Sequence, residues 1–115
     1  MFNTQTLIQN KIAKELQYLG YDLSHKGTQY LINAIEYVVS KPHNDLGILA
    51  KDVYPEIALM HNDSIHNIKC RINAATDIMY CNCELNKLKN YFYFDIDAKP
   101  KTKTIINTII NRLKL

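Results

Sequence analysis

Residues 63–80, DSIHNIKCRINAATDIMY, decide the fold of this chain. Asp63 or Ser64 is a favourable N-cap, because a side-chain oxygen there accepts a hydrogen bond from a free backbone N–H. Apolar residues then recur at intervals of three and four, which predicts a core-facing stripe. The stripe consists of Ile65, Ile68, Ile72, Ala75 and Met79. We therefore predict an amphipathic helix over about 63–82.

The opposite face of this helix is polar. Its central line holds His66, Cys70, Asn73 and Asp77, with Asn67 beside it, and Lys69 and Arg71 lie on the two flanks. A helix in the major groove of DNA presents its central line to base edges and its flanks to phosphates. The same pattern also fits a solvated helix face or part of a metal site.

The preceding segment favours a helix-turn-helix. This motif needs a small residue where the first helix meets the second, a residue tolerant of positive φ in the turn, and an apolar residue on the second helix. Ala58, Asn62 and Ile68 fit these three roles, and Asn enters the left-handed region readily. Helix pairs with a short turn are common, so the spacing alone leaves other functions open.

The remaining apolar periodicity predicts an all-α fold of about six helices. The first helix ends at Gly20, and the second spans about 26–40, before Pro42. A short helical piece follows over 46–53, then helices over about 54–61 and 84–91, and a last one from about Lys103. The aromatic segment 91–97, YFYFDID, is expected to be a loop that packs on the core.

Composition describes one globular domain spanning 1–115, with 47% hydrophobic residues. Residues 1–63 carry a net charge of −2 and residues 64–115 a net charge of +5, an asymmetry that suggests a polyanionic partner. Three cysteines cannot all pair within the chain, which favours a reduced, cytoplasmic protein. No apolar run is long enough to span a membrane.

Three segments carry a family resemblance: HKGTQYLINAIEYV (25–38), VYPEIA (53–58) and NRLKL (111–115). Together they resemble the C-terminal effector domain of the stage zero sporulation protein A family, the response regulators that start sporulation. The resemblance runs in order from about Leu16 to Leu115. It implies a six-helix, DNA-binding transcription regulator in which 63–80 is the recognition helix. Full-length members carry a receiver domain, for which 115 residues leave no room, so we expect a stand-alone effector.

The chain departs from this family at the residues that read bases. The family's recognition helix carries an adjacent Glu and Arg and a second Arg three residues on, where this chain has Lys69, Cys70 and Asn73. Bidentate contacts from Arg to guanine are therefore absent at those positions. Asn can still pair with adenine, and Lys can reach guanine or phosphate.

We therefore expect a sequence-specific regulator whose partner is double-stranded DNA. The residues expected to face bases are His66, Asn67, Cys70 and Asn73. Those expected to face phosphates are Ser64, Lys69, Arg71, Lys99, Lys101 and Lys103. The alternative is an interaction module that has lost specific readout and modulates RNA polymerase or a related full-length regulator; a homodimer on DNA also stays open.

Neither catalysis nor a cofactor is expected. The histidines at 25, 43, 61 and 66 are scattered, and no nucleophile–base arrangement or glycine-rich phosphate loop occurs. His25 is expected to be a capping or surface residue. Cys70 and Cys81 would lie about 16 Å apart along one helix, and Cys81-Asn82-Cys83 lacks a second nearby pair, so a four-ligand zinc site is not expected.

Overall fold

The computed structural model describes residues 4–42, 46–92 and 98–115, and side chains from Leu7 onward. Over these ranges it contains six α-helices and no strand, which confirms the all-α prediction. The helices are α1 (Thr4–Leu19), α2 (Lys26–Ser40), α3 (Tyr54–His61), α4 (Ile65–Asn82), α5 (Leu85–Phe92) and α6 (Thr102–Leu113). No helix in the described ranges has the length and apolar character that crossing a bilayer requires.

Most predicted boundaries hold within two residues. Helices α2 and α3 have the expected bounds, and Pro55 lies in the first turn of α3. The predicted helical piece before α3 is a π-helical segment, Leu49–Val53, that runs directly into α3. Phe92, expected in a loop, instead ends α5 and is buried. Residues 93–97, the rest of the predicted loop, lie outside the described ranges.

Local capping explains where α1 ends and where α2 begins. Gly20 follows α1 with φ +111°, and the Tyr21 N–H donates to the Leu16 carbonyl at 3.0 Å. This positive φ suits glycine, which has no Cβ to clash. His25 is the N-cap of α2, and its Nδ1 accepts the Gly27 N–H at 2.9 Å. The capping role expected for His25 is therefore confirmed.

Helix α2 is the centre of the fold. It packs against α1, α3, α4 and α6, and more than half of its residues are buried. Each of these four helices contributes fully buried side chains to the core, among them Ile12, Leu16, Ile57, Ile68, Ile72, Met79 and Ile105. Because α2 contacts both α3 and α4, it supports the helix-turn-helix from behind.

Gly27 is the point of closest approach between α2 and α4. A Cβ at this position would lie 1.8 Å from the Arg71 carbonyl oxygen and 3.0 Å from the Ala75 Cβ. The first of these distances is far inside van der Waals contact, and the obstructing atom belongs to the backbone. Only glycine therefore allows the two helix backbones to meet here.

Substitution Gly27→Ala is expected to destabilise the fold. Helix propensity alone would favour alanine by up to about 1 kcal/mol. The sign of the change in the free energy of unfolding therefore shows whether helix propensity or packing dominates. We expect the free energy of unfolding to fall by about 1–3 kcal/mol, because α2 must move away from α4. Urea unfolding measures the change, with Lys26→Ala as the exposed control. Equal or higher stability of the alanine variant would contradict the close contact.

Candidate nucleic-acid interface

A tight left-handed turn joins α3 to α4. Asn62 has φ 51° and ψ 49°, as expected for the turn residue of a helix-turn-helix. The Asp63 N–H donates to the Ala58 carbonyl at 3.0 Å, which closes the turn. Ala58 and Ile68 are both buried where the two helices meet. The three roles assigned from sequence are thus confirmed, and the two helices form a helix-turn-helix.

Helix α4 begins one residue after its cap. Ser64 is the N-cap, and its side chain accepts the Asn67 N–H at 3.0 Å. The predicted core stripe is buried from Ile68 onward, and Thr76 is buried beside it. Ile65 is the exception: its side chain is 43% exposed, and it lines an open groove at the helix-turn-helix elbow. Ile65 is the first residue of α4, and the packing of α4 against α2, α3 and α6 leaves it partly uncovered.

The Asp63 carboxylate organises the start of α4. It accepts the Tyr30 hydroxyl at 2.8 Å, the Asn67 side-chain amide at 2.9 Å and the Ser64 N–H at 2.8 Å. The Arg71 Nε lies 3.9 Å from the same carboxylate. Since Tyr30 belongs to α2, these contacts tie the first turn of the recognition helix to the centre of the fold.

These hydrogen bonds shift the pKa values of Asp63 and Tyr30. The donors from Asn67, Tyr30 and Ser64 lower the pKa of Asp63 to about 2. Burial, together with the neighbouring carboxylate, raises the pKa of Tyr30. The carboxylate therefore remains ionised and the phenol remains a donor across the physiological range.

A second group of predicted residues converges beside the middle of α4. Lys69 and Asn73 of α4 line one side of an open groove of about 420 Å³, and Lys101 and Lys103 line the other side at the start of α6. The floor and remaining wall come from Gly47, Ile48, Leu49, Ala50, Tyr54 and Thr102. Within the part of the chain that the structure describes, no acid pairs with these three lysines.

Three predicted residues, Lys99, His66 and Cys70, lie outside this groove. Lys99 donates to the Asp77 carboxylate at 2.6 Å, so its charge is already partly balanced within the chain. Cys70 and His66 are exposed and contact each other one helical turn apart, with Cys70 Sγ 3.4 Å from His66 Nε2. Helix α4 continues from Cys70 through Cys81, so these two cysteines lie on one helix, as the spacing argument assumed.

The sequence predicts Asp63 only as one of two alternative caps of α4. Its role as a common acceptor was nevertheless partly visible, because Asn67 and Arg71 follow it at intervals of four on one line of the helix. The bond from Tyr30, 33 residues earlier, had no local signal. The same holds for Tyr54 and residues 47–50, which line the lysine groove.

A comparison with known families matches most of the chain. A sequence model of the family described as "Sporulation initiation factor Spo0A C terminal" matches residues 12–113 of the 115-residue chain. The match covers all of the helix-turn-helix and the lysine groove.

The Asp63 contacts predict an acid-dependent loss of stability. The pKa of Asp63 is about 2 when folded and about 3.9 when unfolded, so the folded state binds fewer protons between these values. The contribution is complete above about pH 4 and disappears as pH falls towards about 2. We expect the stability difference between wild type and Asp63→Asn to close over this window, as measured by urea unfolding. Asp77→Asn on the same helix is the control, and a difference independent of pH would contradict the linkage.

Proposed function

The chain belongs to the Spo0A C-terminal family, whose members are non-catalytic DNA-binding domains of transcription regulators, and from this premise we propose that it binds duplex DNA sequence-specifically. In this proposal α4 enters the major groove, and the loop before α6 follows the adjacent phosphate backbone. The family membership supplies DNA binding as a class. Specific readout by the residues of this chain is the step that we add.

The observation that carries the proposal is the convergence of Lys69, Lys101 and Lys103 on one groove beside α4. Lys69 lies 32 residues or more from Lys101 and Lys103 in sequence, yet the fold brings the three lysines to one groove without an acidic partner among the described residues. The N-terminus of α6 adds its dipole to the same place. A phosphate of the backbone is the ligand that such an arrangement favours.

The expected base-facing residues divide into two pairs. Asn73 is half-buried beside Lys69 at the groove edge, where its amide suits adenine. Asn67 already donates one amide hydrogen to Asp63, which orients the side chain and leaves its carbonyl oxygen and second hydrogen for DNA. His66 and Cys70 are the exposed pair on the central line of α4.

The flanking contacts follow from the same geometry. Ser64 keeps its hydroxyl hydrogen available after accepting from Asn67. Arg71 is 46% exposed and approaches Asp63 through Nε, which leaves its terminal nitrogens for a phosphate. Lys99 would have to exchange Asp77 for a phosphate, so we expect it to contribute least among the four lysines that are expected to face phosphates.

One observation favours a second candidate function. Leu59 and Met60 of α3 are 78% and 56% exposed, and Ile65 lies close by at the elbow. An apolar surface of this kind is typical of protein contacts. The alternative is therefore an interaction module that binds RNA polymerase or a related full-length regulator through the elbow, without sequence preference on DNA.

A selection from a random duplex pool, followed by salt titration, tests the DNA proposal. We expect an enriched sequence whose affinity falls with salt at a log–log slope of about −0.9 per neutralised phosphate. Replacing Lys69 and Lys101 by Ala should weaken binding to all duplexes and reduce the slope by about 1 for each lysine. Lys11→Ala and Lys14→Ala on α1 remove the same charge and are the matched control. Asn73→Ala should instead relax discrimination at one base pair by about 1–3 kcal/mol.

The outcomes separate the parts of the proposal. Failure to bind any duplex at low salt would refute DNA binding by this chain. Binding with the expected salt slope but without an enriched sequence would refute specific readout. Equal effects of the groove pair and the α1 pair would refute the groove as the phosphate contact.

The second candidate makes a different prediction for the elbow. A double substitution Leu59→Ser, Met60→Ser removes apolar surface without adding charge. If the module function is correct, wild type retains polymerase or the related regulator in a pull-down and the double variant does not. Loss of DNA selection with equal pull-down would instead place Leu59 and Met60 in the DNA interface, against this alternative.

A further inference from the structure

We propose that His66 and Cys70 form a binding site for a thiophilic divalent cation, of the Zn²⁺ and Cd²⁺ class, on the exposed face of α4. We also propose that the bound ion competes with DNA, a second step that rests on the proposed function. The site differs from the four-ligand zinc site considered from sequence, because it uses neither Cys81 nor Cys83.

The two donor atoms already have the separation that such an ion requires. Cys70 Sγ lies 3.4 Å from His66 Nε2 and 3.9 Å from Nδ1, so Nε2 is the nitrogen that faces the thiol. Zinc binds sulfur at about 2.3 Å and imidazole nitrogen at about 2.0–2.1 Å, and a tetrahedral angle then separates the donors by about 3.6 Å. The ion needs a movement of only a few tenths of an ångström.

The helix fixes this geometry. Residues four apart lie one turn above each other on one face, and zinc enzymes use the same spacing for two ligands on a helix. His66 and Cys70 both lie within α4, His66 in its capped first turn and Cys70 one turn later. Both residues are exposed, so the ion has free access and the backbone need not rearrange.

The chemistry of the pair selects the class of ion. Imidazole and thiolate suit borderline-soft metals such as Zn²⁺, whereas Ca²⁺ and Mg²⁺ require oxygen donors. The thiol gives its proton to solvent when the sulfur binds the ion. Among the described residues no group of three or more His, Cys, Asp or Glu side chains surrounds a common point, so water completes the coordination and the site remains open.

An ion bound to His66 and Cys70 would affect DNA binding because of where this pair lies on α4. His66 and Cys70 lie on the central line of α4, where the proposed function places contacts with base edges. A hydrated ion there stands between the helix and the bases and occupies the donor atoms of both side chains. Metal binding and insertion of α4 into the major groove are therefore mutually exclusive.

The first experiment measures the site without DNA. Cys81→Ser with Cys83→Ala leaves Cys70 as the last of the three thiols, and Cd²⁺ is titrated while the ultraviolet thiolate-to-cadmium band is recorded. In this background His66→Gln should weaken Cd²⁺ binding by at least about tenfold, since even indirect supports of a metal site cost that much. His61→Gln, which removes another exposed imidazole, should leave the affinity unchanged. Equal affinities of the two variants would overturn the site.

The second experiment adds DNA to the same proteins. Saturating Cd²⁺ should raise the apparent Kd for a random duplex pool in the background protein, and the effect should disappear with Cys70→Ser. Cadmium binding that leaves the apparent Kd unchanged would overturn the competition. Absence of DNA binding in metal-free buffer would overturn both the proposed function and the competition, whereas the metal site is decided by the first titration. Circular dichroism of each variant establishes that the helices are retained.

Discussion

The contact between Gly27 and the Arg71 carbonyl sets the arrangement on which the rest of the structure depends. It lets the backbones of α2 and α4 approach more closely than any side chain would permit. The contact lies near the middle of α4, after the first turns that we propose face DNA. The orientation of the recognition helix is therefore fixed by the backbone of α2, and no long side chain acts as a spacer between them.

Helix α2 fixes α4 a second time through Tyr30. The Tyr30 hydroxyl holds the Asp63 carboxylate, which in turn holds Asn67 and lies near Arg71. An acid before the first turn is also favoured by the helix dipole. A carboxylate at a surface that faces phosphates would be unfavourable by itself, but here its charge orients two side chains that DNA would use. The Asp63 carboxylate would repel nearby phosphates, but it also pre-organises the side chains of the proposed interface.

In the proposed function, different residues position the protein on DNA and read its sequence. Lys69, Lys101 and Lys103 supply positive charge that carries no base preference, and they form the groove seen beside α4. In the proposed function, sequence preference comes from shorter polar groups such as Asn73 and the His66–Cys70 pair. These groups make weaker and fewer contacts than paired arginines. Cys70 also places a soft donor atom on the face that we propose reads bases, which DNA binding alone does not require.

The sequence by itself determined the helices, the caps and the helix-turn-helix. His25, Asn62 and Ser64 act through atoms within a few residues of themselves, so local patterns were sufficient to predict them. The predicted burial of Ile65 was wrong, because burial depends on which neighbouring element covers a face. Phe92 ends α5 rather than lying in a loop, but its predicted packing on the core is confirmed. Only the tertiary structure decided that Lys69 and Lys101 line the same groove, and that the Tyr30 hydroxyl donates to Asp63. Each of these pairs is separated by more than 30 residues, and their meeting depends on how closely α2, α4 and α6 pack, which no local periodicity encodes.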